Sequence, residues 1–319
     1  MPAKVTPKVP SEAVVQSWFK KYSNWGRWGK EDQLGTLNHI TPQKRVAAAR
    51  LVKDGTSVTC SRLLSTEISA DVRSPLIHYM SSSGERWSGQ KSKPGEVQGS
   101  SDFFGIAFHG YHVTHIDSLA HIGWDGHLYN GRPGDLITTR EGATVESIDL
   151  LKDGVVSRGV LLDIPPVRGV KWLEPKEGVY AEDLEAAEKK CGVKVEPGDV
   201  LFVRCGILRR RNELGPTNPT TEGIAGLHAS TIPFLYERGV AMLGSDAPTD
   251  MSPTGYQHPR MPVHQVGIAA MGLWLIDNAN LEDLAAACQA KKRWEFMIAM
   301  GPLRLHNTTG CPINPIAVF

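Results

Sequence analysis

An α/β fold with a mixed sheet core flanked by helices is what this sequence predicts, and two observations predict it. Three short apolar runs, Gly159–Ile164, Asp199–Arg204 and Val240–Gly244, are rich in branched residues, as buried strands are. Helical patterns lie between them, Ala181–Glu188 before the second run and Ser230–Arg238 before the third. Alternation of this kind builds layered α/β structure around a mixed or parallel sheet. The 319 residues hold no internal repeat, no low-complexity tract and no obvious linker, so residues 46–319 read as one domain.

The elements follow in order. Residues 1–45 carry Trp18, Trp25 and Trp28 near Gly26 and Gly29, and read as an N-terminal arm against a neighbouring subunit, where tryptophan is enriched. Thr41 followed by Pro42 is a helix start, with a capping hydroxyl and a proline at the first helical position. Ser69–Ser101, rich in Ser, Gly and charge, reads as a long loop. Asp125-Gly126 and Asn130-Gly131 are turn dipeptides and predict a hairpin after Trp124.

Bulk properties narrow the function. A net charge of +1, from 35 basic and 34 acidic side chains, gives no field that would draw the chain to nucleic acid or a membrane surface. Met1-Pro2-Ala3-Lys4-Val5 leads into polar sequence without an apolar signal core, and no apolar run approaches about 20 residues. The 5 cysteines are scattered, without a CxxC pair, as in a reducing compartment. A cytoplasmic protein acting on a small molecule is the expectation.

Of the 11 histidines, four fall between Phe108 and His121. If His109–Asp117 is extended, His109, Tyr111, Val113, His115 and Asp117 share one face, and His115 and Asp117 aim an imidazole and a carboxylate at one point. Nitrogen and oxygen donors of this kind suit Zn²⁺, Mn²⁺ or Fe²⁺. His112 points away on this reading.

Thr114-His115-Ile116-Asp117-Ser118-Leu119-Ala120-His121 resembles the core of His-x-Gly-Thr-His-x-Asp-x-Pro-x-His. That signature belongs to the cyclase-like metal-dependent hydrolases, the family of bacterial kynurenine formamidase, isatin hydrolase and trans-dienelactone hydrolase. Gly198–Gly206, Gly239–Pro248 and His264 with Ile276-Asp277-Asn278 resemble later segments of the same family, in order. The resemblance spans about residues 45–319. It implies a swivelling β/β/α fold, a divalent metal (Mn or Zn) and a homodimer or homotetramer. It also implies metal ligation by His115 and Asp117, with His121 as general acid/base. His264 would face the reacting group as a second catalytic histidine or complete a second metal position, with Asp277 where the family has glutamate.

Tyr111 stands where the signature begins with a metal-binding histidine, and Val113 and Leu119 replace its Gly and Pro. Strand parity makes His109 the replacement ligand, with His112 the alternative if a bulge reverses parity. Tyr111 is then free to meet substrate, and Trp124 can wall the pocket. Asp246, at the end of an apolar run, reads as a structural residue bonding turn amides. Hydrolysis of a small amide, lactam or lactone is the expected activity. The rivals are a non-hydrolytic metal enzyme, such as an Fe²⁺ oxygenase with two histidines and one carboxylate, or a binding protein with a decayed site. No GxSxG elbow supports serine catalysis.

Overall fold

A computed structural model describes residues 7–319, so the Met1–Val5 segment lies outside the described residues. Nine strands form one sheet: β1 (Ser57–Thr59), β2 (His115–Asp117), β3 (Val155–Asp163), β4 (Val200–Arg204), β5 (Met242–Ser245), β6 (Trp274–Asp277), β7 (Glu295–Met300), β8 (Gly310–Pro312) and β9 (Ile316–Val318). Their spatial order is β1-β9-β7-β3-β4-β5-β6-β2-β8. The four central strands, β3-β4-β5-β6, run parallel, and antiparallel strands extend them at both ends. The expected mixed α/β core is therefore observed.

The central strands are parallel because helical connections return the chain to the same edge, and burial on both faces demands their continuous apolar runs. All of Val200–Arg204 and Met242–Ser245 is buried. Helices Ala181–Cys191 and Ile232–Glu237 fall where the pattern placed them. Thr41 caps the helix Pro42–Ala49 by accepting from the Lys44 amide. Asp125 and Gly126 both take positive φ, as a tight primed turn requires, and a bridge between Trp124 and His127 closes the hairpin.

Two expectations need correction, and the N-terminal segment can be placed. Residues 7–45 pack on their own chain. Val15, Trp18, Leu37 and Ile40 join the core, and the Trp25 indole donates to the Ala269 carbonyl of its own chain at 2.7 Å. Gly35 (φ +56) makes this docking possible, since a Cβ there would lie 2.1 Å from the Gly272 carbonyl oxygen. Within Ser69–Ser101, the chain forms half of an antiparallel ribbon, Ile77–Ser82 against Ser101–Gly105. The alternating Ile77-His78-Tyr79-Met80 run, with Tyr79 stacked on Phe103, outweighs the loop-like composition around it. Finally, only His115–Asp117 of the expected His109–Asp117 strand is extended in the sheet. Residues 109–113 bend, with Gly110 at φ +147. Among the described residues no helix is long and apolar enough to cross a membrane.

Asp246 closes the carboxyl end of β5. Its carboxylate accepts from the amides of Cys205, Gly206 and Ile207 at 2.7, 2.7 and 3.0 Å, fastening the helix start Ile207–Leu214 to the sheet. Asp246→Ala would strand three largely buried donors, each costing about 1–3 kcal/mol. Chemical denaturation should show a loss of roughly 3–5 kcal/mol, and a smaller one for Asp246→Asn, which keeps an acceptor oxygen.

Candidate metal centre

β2 lies between β6 and β8, and its register places His115 opposite Asp277 and Pro312, and Asp117 opposite Leu275 and Gly310. Side chains directly opposed on one sheet face approach within about 4.5–5.5 Å at Cβ. His115, Asp117 and Asp277 thus gather at the carboxyl end of the parallel strands, where α/β sheets expose their sites. Thr114 pins the strand: its hydroxyl donates to the Asn278 carbonyl at 2.8 Å and accepts from the Arg62 amide at 2.9 Å.

His109 reaches the same place from the bend, not from the strand. Its Nδ1 lies 3.0 Å from Asp117 Oδ1, and its Nε2 meets the Thr309 hydroxyl at 3.1 Å. Gly310 leaves the space, since a Cβ there would sit 3.1 Å from the His109 ring and 2.4 Å from the Ile116 carbonyl oxygen. His264 comes from the short helix Pro262–His264, which continues into π-helical Gln265–Met271. π-Helical turns recur at functional sites. Asp250, which the sequence reading missed, accepts from the Val263 and His264 amides at 2.9 and 3.0 Å and meets His264 Nδ1 at 2.7 Å.

Asp117 is fully buried, and neither carboxylate oxygen has a hydrogen-bond partner. Nitrogens crowd it nonetheless. His115 Nε2 is 3.4 Å from Oδ1, while His264 Nε2 and His121 Nε2 are 3.6 and 4.0 Å from Oδ2. Nitrogens near a carboxylate without hydrogen-bond geometry are what ligands converging on a shared cation produce. Two groups of donor atoms lie mutually within 4.8 Å: His109, His115 and Asp117, and Asp117, His264 and Asp277. Asp117 belongs to both.

Two imidazoles have their outer nitrogen occupied. His115 Nδ1 bonds the Val113 carbonyl at 2.8 Å and His264 Nδ1 bonds Asp250, so each turns Nε2 inward with its lone pair. A carboxylate or carbonyl behind a ligating histidine fixes its tautomer and raises its basicity. Thr249 donates to Asp277 Oδ1 at 2.6 Å, leaving Oδ2 3.5 Å from His264 Nε2. The chemistry of this donor set, imidazole and carboxylate at a buried orphan, fits a divalent cation.

Electrostatics separate the histidines. Burial opposes charge on His115 and His264, but Asp117 next to the first and Asp277 next to the second raise both above the ordinary imidazole value. Burial would raise Asp117, yet His115, His109 and His264 hold it well below the usual carboxylate range. On His121 burial wins: its pKa is lowered to about 4, so it is neutral near pH 7. It stacks on His109 with centroids 3.8 Å apart and belongs to neither donor group.

The other expected residues fall around this centre. Trp124 stacks on Phe19 at 3.9 Å and lines, with His121, a cleft of about 270 Å³. Tyr111 is exposed and lines a different cleft, with Arg62 and Asn278. His112 also lies outside both groups. His264, expected either to face the reacting group or to complete a second metal position, lies in the second donor group, because Asp250 turns its Nε2 toward Asp117 and Asp277. A Pro-Val-His helix start gives no local sign of this; its partner Asp250 lies five residues beyond the end of β5, at a bridge to Leu227.

The chain matches the model of the putative cyclase family over residues 36–249, and it belongs to that family. A solved structure described as a novel cyclase is 30% identical, covers 94% of this chain and 99% of its own, and superposes with a TM-score of 0.85. Isatin hydrolase A from Labrenzia aggregata, solved with benzyl benzoate, is 16% identical, with 88% and 100% coverage and a TM-score of 0.58. Isatin hydrolase A from Ralstonia solanacearum is 20% identical, with 88% and 98% coverage and a TM-score of 0.55. These two share the fold. Comparison with curated proteins gives no significant match.

Elemental analysis of Asp117→Ala should show loss of bound divalent metal with unchanged far-UV circular dichroism. Asp250→Asn should weaken metal affinity about 10- to 100-fold by releasing the His264 ring. Because protons on His115 and His264 compete with the cation, affinity should fall as pH is lowered from about 8 to about 6. Affinity that is flat across that range would remove imidazole from the coordination sphere.

Proposed function

We propose that this chain is a metal-dependent hydrolase that opens a C–N or C–O bond of a small amide, lactam or lactone. One observation carries the reading. A fully buried Asp117, its oxygens unpartnered, is shared by two donor groups, and a neutral His121 stands 4.0 Å away outside both. The names of the isatin hydrolases support hydrolysis in proteins of this fold. His109, His115, Asp117, His264 and Asp277 would hold one or two cations, with Mn²⁺ or Zn²⁺ both suited to such donors.

When bound, a divalent cation supplies Lewis acidity, which polarises a carbonyl and makes water acidic enough to ionise near neutrality. The side chains do the rest. Val113 and Asp250 lock the His115 and His264 rings, so the centre is organised before substrate arrives. His121, neutral and about a quarter exposed, accepts a proton at Nε2 from water and returns it to the departing nitrogen or oxygen. Its cleft is walled by Trp124, which can press an apolar ring toward the centre. The exposed ribbon, with Ile77, Tyr79 and Phe104 on its surface, supports a homodimer or homotetramer.

His121→Ala should retain its metal and lose about 10²–10⁴-fold in kcat on whichever aryl amide, lactam or lactone is turned over. His115→Ala should lose metal and activity together. Near wild-type turnover by His121→Ala would move the proton transfer elsewhere, and metal loss in that variant would make His121 a ligand.

A further inference from the structure

Beside Tyr111 lies a second cleft, open to solvent and enclosing about 50 Å³, which the proposed chemistry does not use. Ile207, Ile224 and Pro248 give it apolar walls, and Arg62, Tyr111 and Arg211 stand among its polar residues. Arg62 is the unusual member. It is 9% exposed, its Nε–H is buried without a partner, and no carboxylate among the described residues lies within ion-pair reach of it. Its other nitrogens meet only carbonyls, donating to Asp246 and, at 3.4 Å, to Tyr111.

The nearby carboxylates are committed elsewhere. Asp246 accepts from three amides and Asp71 is held by Arg211 and Ser69; with Asp277 they favour the Arg62 charge only from beyond ion-pair distance. Arg210, also at the cleft, is paired with Glu174. Burial lowers Arg62 only to about 10, so it remains a cation at neutral pH. A buried guanidinium with an unpartnered N–H and no carboxylate in direct contact keeps part of its desolvation cost. An anion entering the cleft would offset that cost, and Arg presents planar donors that match a carboxylate.

We propose that this cleft is a carboxylate-binding site, with Arg62 as its anchor and Tyr111 as its flank. Its ligand is a small organic acid with an apolar body. Asn278 links the site to the metal centre: it follows Asp277, and its amide donates to the carbonyls of Gly110 and Val113 at 2.7 and 3.1 Å. The carboxylate belongs either to the substrate itself or to a separate effector. The substrate arm rests on the hydrolase reading, whereas binding does not.

The test is calorimetric titration of metal-free wild-type protein with phenylacetate, using phenylacetamide as the uncharged isostere. Phenylacetate should bind about 10- to 100-fold more tightly than the amide. Arg62→Gln should abolish that preference. Thr217→Trp, which fills the cleft and leaves Arg62 in place, should abolish it too, and covers the case in which Arg62→Gln does not fold. Equal binding of acid and amide by the wild type, or a preference that survives either folded variant, would overturn the proposal. A preference seen only after metal loading would also overturn it, by assigning the carboxylate to the metal centre. With an active holoenzyme, a lower KM for acid-bearing over neutral substrates identifies the substrate's own carboxylate. A change in turnover of a neutral substrate on adding phenylacetate identifies an effector. Loss of all activity with phenylacetate binding intact would sink the hydrolase reading alone.

Discussion

The constraint on which the site depends is the burial of the Asp117 carboxylate. A carboxylate taken out of water must be matched by positive charge or hydrogen bonds, or the fold loses several kcal/mol. Here its oxygens receive no hydrogen bond and face imidazole nitrogens instead. Asp117 and Asp277 favour the charged forms of His115 and His264, and a bound cation would supply the same positive charge. The same arrangement therefore balances charge in the fold and creates a binding site.

The sheet makes this possible through its change of strand direction. The parallel core delivers Asp246, Asp250 and Asp277 to one end, and antiparallel β2 crosses that end beside β6. Asp246 is spent on backbone amides and Asp250 on orienting His264, so each acidic residue near the site has a separate task. Gly310 on β8 gives His109 its space by lacking a side chain. Structure and candidate chemistry are coupled here: the hydrogen bonds that close the strand ends are the ones that aim the ligands.

Environment assigns different work to one residue type. His115 and His264 touch carboxylates and are drawn toward the charged form, while His121 is dominated by burial and stays neutral. A ligand needs a fixed lone pair, and a proton acceptor needs an unprotonated ring with access to solvent. Arg62 presents the opposite case, a buried cation with an unpartnered N–H and no carboxylate in direct contact. The two clefts thus carry complementary electrostatic needs on either side of one short stretch of chain.

The sequence by itself determined the features that depend on near neighbours. Branched apolar runs marked β3, β4 and β5, Thr41-Pro42 marked a helix start, and Asp125-Gly126 marked a turn. The two-residue spacing of His115 and Asp117 put them on one strand face. His109 was named from strand parity, but the structure brings it in through a bend, because Gly110 lets the chain turn and Gly310 leaves room. That depends on residues far apart in sequence, which no local period encodes. The orientation of the His264 ring, the part played by Asp250 and the docking of Trp18 into the core were also decided only by tertiary structure. Each follows from register and packing between distant segments, where the free energy comes from burial and charge matching rather than from local propensity.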